Sequence, residues 1–164
     1  MVTEKMVKAL NDQINLELSS AYLYLAMGAY LEDRKFPGCA CWMKVQFEEE
    51  TGHAMRLFNY LGDRGARVTL GAIAKPAAEF GTVLQTFKAV LEHERKVTAS
   101  IHKLYGLALA EEDYATQSQL VWFVNEQVEE EKNVEDILRQ LEALGDKPHL
   151  LLMLDHRLGE RKAN

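Results

Sequence analysis

GDRGARVTLG, residues 62–71, is the longest break in the helical pattern of this chain. Its glycines, with Pro76 close behind, favour an open connection over a helix. Helical periodicity holds on both sides of it. Before it, Pro37-Gly38 separates a first run, about 4–33, from a second, about 38–61. After it, a third run extends over about 79–109, and Glu111-Glu112-Asp113 opens a fourth that ends at Gly145. No strand-like alternation or low-complexity tract interrupts these runs. The first-to-second and third-to-fourth links are short and make antiparallel hairpins. The link through residues 62–71, roughly 17 residues long, can traverse the length of a bundle. The expected fold is therefore all-α: a four-helix bundle with one long crossover between helices 2 and 3. Asp146-Lys147-Pro148 supplies a cap and a first-turn proline for a short fifth helix over about 148–159. No linker splits the chain, so residues 1–164 read as a single domain, with the bundle at about 4–145.

A bundle helix buries positions that step by three and four. Such steps trace Leu10, Ile14, Glu17, Ala21, Tyr24, Gly28 and Leu31 in the first helix. In the second they trace Cys39, Met43, Gln46, Glu50, His53, Leu57 and Tyr60, and in the third Phe80, Leu84, Phe87, Leu91, Glu94, Thr98, Ile101, Tyr105 and Ala108. In the fourth they trace Leu120, Phe123, Gln127, Glu130, Val134, Ile137 and Leu141. Every seam is apolar at its ends and polar in the middle. Helices of similar length bring their middles to one level, so Glu17, Glu50, His53, Glu94, Gln127 and Glu130 should meet near the bundle axis. No lysine or arginine lies on any seam.

Unpaired carboxylates buried together cost several kcal/mol each, and their repulsion adds to that. Either the protons stay on or cations bind. Glu50-x-x-His53, inside the run EEETGH at residues 48–53, puts two ligands on one helix face. Carboxylate-rich ligation with one imidazole suits Fe(II) or Mn(II) and differs from thiolate-rich zinc or copper sites. Such a set can hold two metals about 3.5–4 Å apart with a bridging carboxylate. A lone Glu-x-x-His pair is most often a solvated pair, but coincident polar breaks in four seams are not. Gly52 costs about 1 kcal/mol relative to alanine at mid-helix, and close approach of a neighbouring helix or subunit is the expected reason for it.

Composition narrows the partners. A net charge of −6 disfavours nucleic acid and anionic membranes, which call for basic patches. The opening residues do not read as a signal peptide, and no apolar run approaches the roughly 20 residues that span a bilayer. A cytoplasmic location is expected. Cys39 and Cys41, two apart, suit neither a disulfide framework nor a zinc site. The four histidines off the seams, His93, His102, His149 and His156, read as surface or interface residues. Leu150-Leu151-Leu152-Met153-Leu154 is apolar all round, more than one bundle face can cover, and points to self-association.

These motifs together resemble the ferroxidase centre of the ferritins: Glu17 with Tyr24, Glu50-x-x-His53, Glu94, and Gln127-x-x-Glu130. The resemblance covers the whole chain, including the crossover and the fifth helix. Trp122-Phe123-x-x-Glu126-Gln127-x-Glu129-Glu130 is most similar to the non-haem ferritins of bacteria and archaea. It implies that Glu17 and His53 ligate a first iron, that Glu50 bridges, and that Glu94 and Glu130 ligate a second. Gln127 would hydrogen-bond nearby and Tyr24 would stand beside the centre. It further implies a third iron site at Glu49, Glu126 and Glu129, sharing Glu130. Glu126, Glu129 and Glu130 do form one acidic strip at helical spacing. The implied function is iron storage: oxidation of Fe(II) by O2 and deposition of a ferric oxyhydroxide mineral in a hollow shell of 24 subunits, whose fourfold channel the fifth helix lines.

Departures from neighbouring families sharpen this. Haem-binding bacterioferritins carry a second Glu-x-x-His and a haem-ligating methionine where this chain has Gln127-x-x-Glu130 and Thr51, so no haem is expected. The Cys-x-x-Cys iron domain of rubrerythrins is absent. The carboxylates that line the iron channel of animal ferritins are absent from residues 115–120. The rival readings are a di-iron oxidase or oxygenase, a peroxide-detoxifying protein of the same fold, or a non-catalytic helical interaction protein.

Overall fold

A computed structural model describes residues 2–145 and 147–162. It contains five helices: α1 (Glu4–Asp33), α2 (Pro37–Asp63), α3 (Val83–Ala110), α4 (Tyr114–Leu144) and α5 (Pro148–Leu158). α1 pairs with α2 and α3 with α4, as the short links require. Their starts are chemically marked. Thr3 caps α1 by accepting from the Met6 N–H, and Pro37 occupies the first turn of α2. Asp113 caps α4. Two boundaries differ from the sequence expectation. α3 starts at Val83, not near 79, because Gly81 sits at φ +77° and Thr82 with Gln85 closes a reciprocal capping box. Phe80 thus lies outside the helix, yet it still packs edge-on against Tyr30 at 5.6 Å. α4 starts at Tyr114 because Glu112 is in the left-handed region at φ 54° and Asp113 is the cap. The cap expected at Asp146 lies outside the described residues.

The crossover lies along α1, where two asparagines one turn apart hold its backbone. Asn11 Oδ1 accepts from the Thr69 N–H at 2.7 Å and Asn15 Oδ1 from the Gly71 N–H at 3.2 Å. Their amide nitrogens donate to the carbonyls of Arg67 and Ala72. Each amide has both a donor and an acceptor, so one side chain satisfies both kinds of backbone group.

The core is two apolar clusters. One gathers Tyr24, Met27, Leu31, Met43, Phe87 and Val134 with their neighbours. The other gathers Met6, Leu10, Ile14, Leu57, Ile101 and Phe123. The polar belt lies between them, the pattern read from the seams. Every predicted seam position of α1 and α4 is buried. In α3 the buried stripe is shifted from the predicted seam: Val83, Val90, Val97 and Leu104 are buried, whereas Leu84, Leu91, Thr98 and Tyr105 are half-buried, as is Tyr60 at the end of the α2 seam. No lysine or arginine is buried among the described residues.

α5 is latched to the start of α2. The buried Asp155 carboxylate accepts from the backbone N–H of Gly38 at 3.1 Å and of Cys39 at 2.8 Å. This replaces the N-cap that Phe36 does not provide. Burial, with Asp155 beside it, pushes the Cys39 thiol well up. A Cβ on Gly38 would fall 1.6 Å from the Asp155 carbonyl oxygen. Leu154 and Leu158 are buried, while Leu152 and Met153 are 59% and 68% exposed, an uncovered apolar face. Among the described residues no helix is long and apolar enough to cross a membrane.

His93 departs from its surface reading: it is half-buried, its Nε2 lies 2.7 Å from Ser20 Oγ, and burial pulls its pKa down to about 4. At Gly52 a Cβ would meet nothing within 4 Å in the chain, so of the two expected reasons, a neighbouring helix and a neighbouring subunit, the first is excluded.

Two substitutions should move stability in opposite directions in denaturant titrations. Gly38→Ala should cost about 2 kcal/mol or more, because the contact is with backbone. Gly52→Ala should gain about 0.5–1 kcal/mol. A loss at Gly52 would instead mark it as a point of contact with another subunit.

Candidate metal centre

Each of the four long helices delivers one carboxylate to the middle of the bundle: Glu17, Glu50, Glu94 and Glu130, all at most 2% exposed. His53 stands one turn after Glu50, with Nδ1 3.6 Å from Glu50 Oε2. Potential ligand atoms of Glu17, Glu50 and His53 fall within 4.8 Å of one another, and so do those of His53, Glu126 and Glu130. His53 belongs to both groups and joins them.

The carboxylates are not equivalent. Glu17 accepts from Gln13 Nε2 at 2.8 Å and Glu130 from Gln46 Nε2 at 3.0 Å. Glu94 accepts from the Tyr24 hydroxyl and from Gln127 Nε2, the latter at 3.1 Å. Gln127 also donates towards the Glu94 carbonyl and Thr98 Oγ1. Glu50 has neither carboxylate oxygen satisfied, and Glu17 Oε2 and Gln46 Oε1 are likewise buried without partners. Burial and mutual repulsion push the pKa values up. Glu17 and Glu50 are held well above the ordinary carboxylate value, first by burial and then by neighbouring glutamates. Glu130 is raised to about 7, again by burial and then by Glu94, with Gln46 opposing. Glu94 rises less freely because Tyr24 and Gln127 donate to its ionised form. Burial and then Glu94 push the Tyr24 phenol well up, so it remains a donor.

The expected third-site residues separate. Glu126 Oε1 lies 3.9 Å from His53 Nε2. Glu129 is exposed and belongs to neither cluster. Glu49 is half-buried and paired with Arg161 at 2.5 Å. Several supporting residues escaped the sequence reading. Gln13 precedes Glu17 by four residues, a spacing that signals a helical side-chain pair. Gln46 and Thr98 lie on the seams but carried no assigned role. Trp122 packs edge-on against His53 at 5.3 Å, and the Arg56 guanidinium lies 4.2 Å over the Trp122 ring. Arg161 gave no periodic signal at all.

Oxygen-rich donors with one imidazole, unpaired buried oxygens and no basic partner make a candidate carboxylate metal site in a helical bundle, with a donor set suited to Fe(II) or Mn(II). Comparison gives the family. The ferritin-like domain family matches residues 7–144, and the chain belongs to the ferritin family. It is 38% identical over 161 residues to the bacterial non-heme ferritin of Staphylococcus aureus, covering 98% of this chain and 97% of that one. A probable bacterial non-heme ferritin-like protein of Haemophilus influenzae is 39% identical over 159 residues, 97% of this chain and 96% of that one. An open pore ferritin from the archaeon Archaeoglobus fulgidus superposes with a TM-score of 0.98 at 45% identity, covering 99% of this chain and all of that one.

The raised pKa values make metal-free stability pH-dependent. A carboxyl whose pKa is higher folded than unfolded stabilises the fold below its unfolded value, and that contribution is lost as pH rises through the folded value. Without metal, stability should therefore fall between about pH 4.5 and pH 7, with Glu130 alone contributing on the order of 3 kcal/mol. A bound divalent cation replaces the protons, so anaerobic Fe(II) should raise the denaturation midpoint far more at pH 8 than at pH 5. Equal stabilisation at both would count against these glutamates as the ligands. Glu130→Gln should flatten the metal-free slope.

Proposed function

We propose that the whole chain, residues 1–164, works as a single ferritin domain that stores iron and oxidises it. Two Fe(II) ions enter the centre as substrates. Glu17 and His53 hold the first, Glu94 and Glu130 the second, and Glu50 bridges them. The observation that carries this reading is Glu50: its buried oxygens find no amide or hydroxyl donor and meet only the carboxyl of Glu17, in a belt with Glu94, Glu130 and His53. A bridging carboxylate needs both oxygens free. The residues that do hydrogen-bond, Gln13, Gln46, Gln127 and Tyr24, fix the other three carboxylates in orientation ahead of binding.

Ionised carboxylates favour Fe(III) over Fe(II) because the product carries more charge. The centre therefore assists the transfer of one electron from each iron to dioxygen, which with two protons leaves as hydrogen peroxide. The Fe(III) moves inward by way of the acidic strip at Glu126, with Glu129 and Glu49 as further carboxylates, and hydrolyses to a ferric oxyhydroxide. The ferritin relatives and the exposed Leu152 and Met153 on α5 support assembly into a hollow shell. We take this shell to hold 24 subunits and to be cytoplasmic.

Fe(II) added anaerobically and then exposed to air tests the proposal, with ferric absorbance and particle mass followed together. A particle near 446 kDa, 24 copies of an 18.6 kDa chain, should retain hundreds of irons. A small particle retaining two irons per chain would mean that this is not a store. Glu50→Ala and His53→Ala should slow the fast oxidation by at least about tenfold and leave the particle intact. Oxidation at the parent rate in either variant would refute the assigned centre.

A further inference from the structure

One cation reaches the edge of the acidic belt, and it comes from beyond α5. Arg161 lays its guanidinium 4.5 Å over the ring of the buried Trp42 and donates from Nη2 to Glu49 Oε2 at 2.5 Å. Its Nη1 is buried and has no partner. The two side chains are only 19% and 14% exposed, so the pair is much less screened than the lysine–glutamate pairs on the outer surface. Glu49 adjoins Glu50 and lies within electrostatic reach of His53 and Glu126. It is thus the carboxylate through which the tail meets the inner side of the centre.

A guanidinium is always charged, has donors only, and cannot ligate a metal. Its hydrogen bond takes one of the two Glu49 oxygens, and its fixed charge opposes a cation at the other. We propose that Arg161 is a built-in competitor for Glu49. It engages Glu49 Oε2 when the third iron position is empty, and a metal recruits Glu49 only by displacing it or against its charge. The tail thereby lowers the affinity of that position by the fraction of time Glu49 is free, and leaves the two-metal centre unaffected. Trp42 sets the strength of the competition, because the flat guanidinium stacks on its ring while it pairs. By linkage, filling the third position weakens the Arg161–Glu49 pair. A weak third position passes its iron onward, which suits a transit site. This inference rests on the proposed function and adds to it the residue that tunes the inner position.

The test is equilibrium dialysis of redox-inert Zn(II) against the assembled protein at pH 7, with particle mass checked for every variant. The parent should bind two equivalents tightly and a third more weakly. Arg161→Gln should tighten the third about tenfold and leave the first two within about twofold. Arg161→Lys keeps the charge but loses the flat stack on Trp42, and should tighten the third in part. In a Glu49→Gln background, Arg161→Gln should change nothing. A third equivalent with parent affinity in Arg161→Gln would overturn the inference. So would an undiminished Arg161→Gln effect in the Glu49→Gln background, or an Arg161→Lys variant that binds like the parent, since each would reduce Arg161 to a bare charge. Failure of the parent to bind two equivalents tightly would instead overturn the metal centre itself.

Discussion

Four glutamates from four helices meet a histidine at one level of a bundle in which no described lysine or arginine is buried. Without protons or cations this arrangement would push the helices apart, and the rest of the structure can be understood as what holds it together. The two apolar clusters clamp the helices above and below the belt. The crossover along α1 and the short hairpins keep the four middles level. The raised carboxyl pKa values record the cost of the arrangement: burial and mutual repulsion favour the protonated carboxyls.

Inside the belt the division of labour follows the hydrogen bonds. Glu17, Glu94 and Glu130 each accept from an amide or a phenol, which fixes the carboxyl plane and leaves oxygen lone pairs facing the centre. Glu50 accepts from no amide or hydroxyl and faces the Glu17 carboxyl. A site that supported every oxygen would have no room for a metal, and one that supported none would collapse or reorient. Trp122 and Phe123 complete the enclosure by packing edge-on against the His53 ring.

The C-terminal elements link this centre to the outside of the subunit. α5 caps the first turn of α2 through Asp155, and the chain beyond it returns Arg161 to Glu49 on that same helix. The seating of α5 and the charge balance at the inner edge of the centre are therefore mechanically connected. α5, the element that carries the tail, also presents Leu152 and Met153 to the outside.

Helical periodicity and the positions of glycine and proline were enough to read the bundle, its crossover and the six central residues. Apolar seams are set by a repeat of 3.6 residues, and a polar break in such a repeat is visible without coordinates. The α3 boundary missed its mark because a positive φ at Gly81 and a capping box overrode the local pattern. Gln13 was legible from its spacing to Glu17, but the partners of Gln46 and Thr98 depend on which helix faces which. The sequence by itself determined that Glu17, Glu50, His53, Glu94, Gln127 and Glu130 share a level, because each is bound to its own helix's repeat. Only the tertiary structure decided that Glu126 joins His53, that Glu129 stays outside, and that Arg161 crosses from the tail to Glu49. Those contacts span separate elements, and no local periodicity encodes the distance between them.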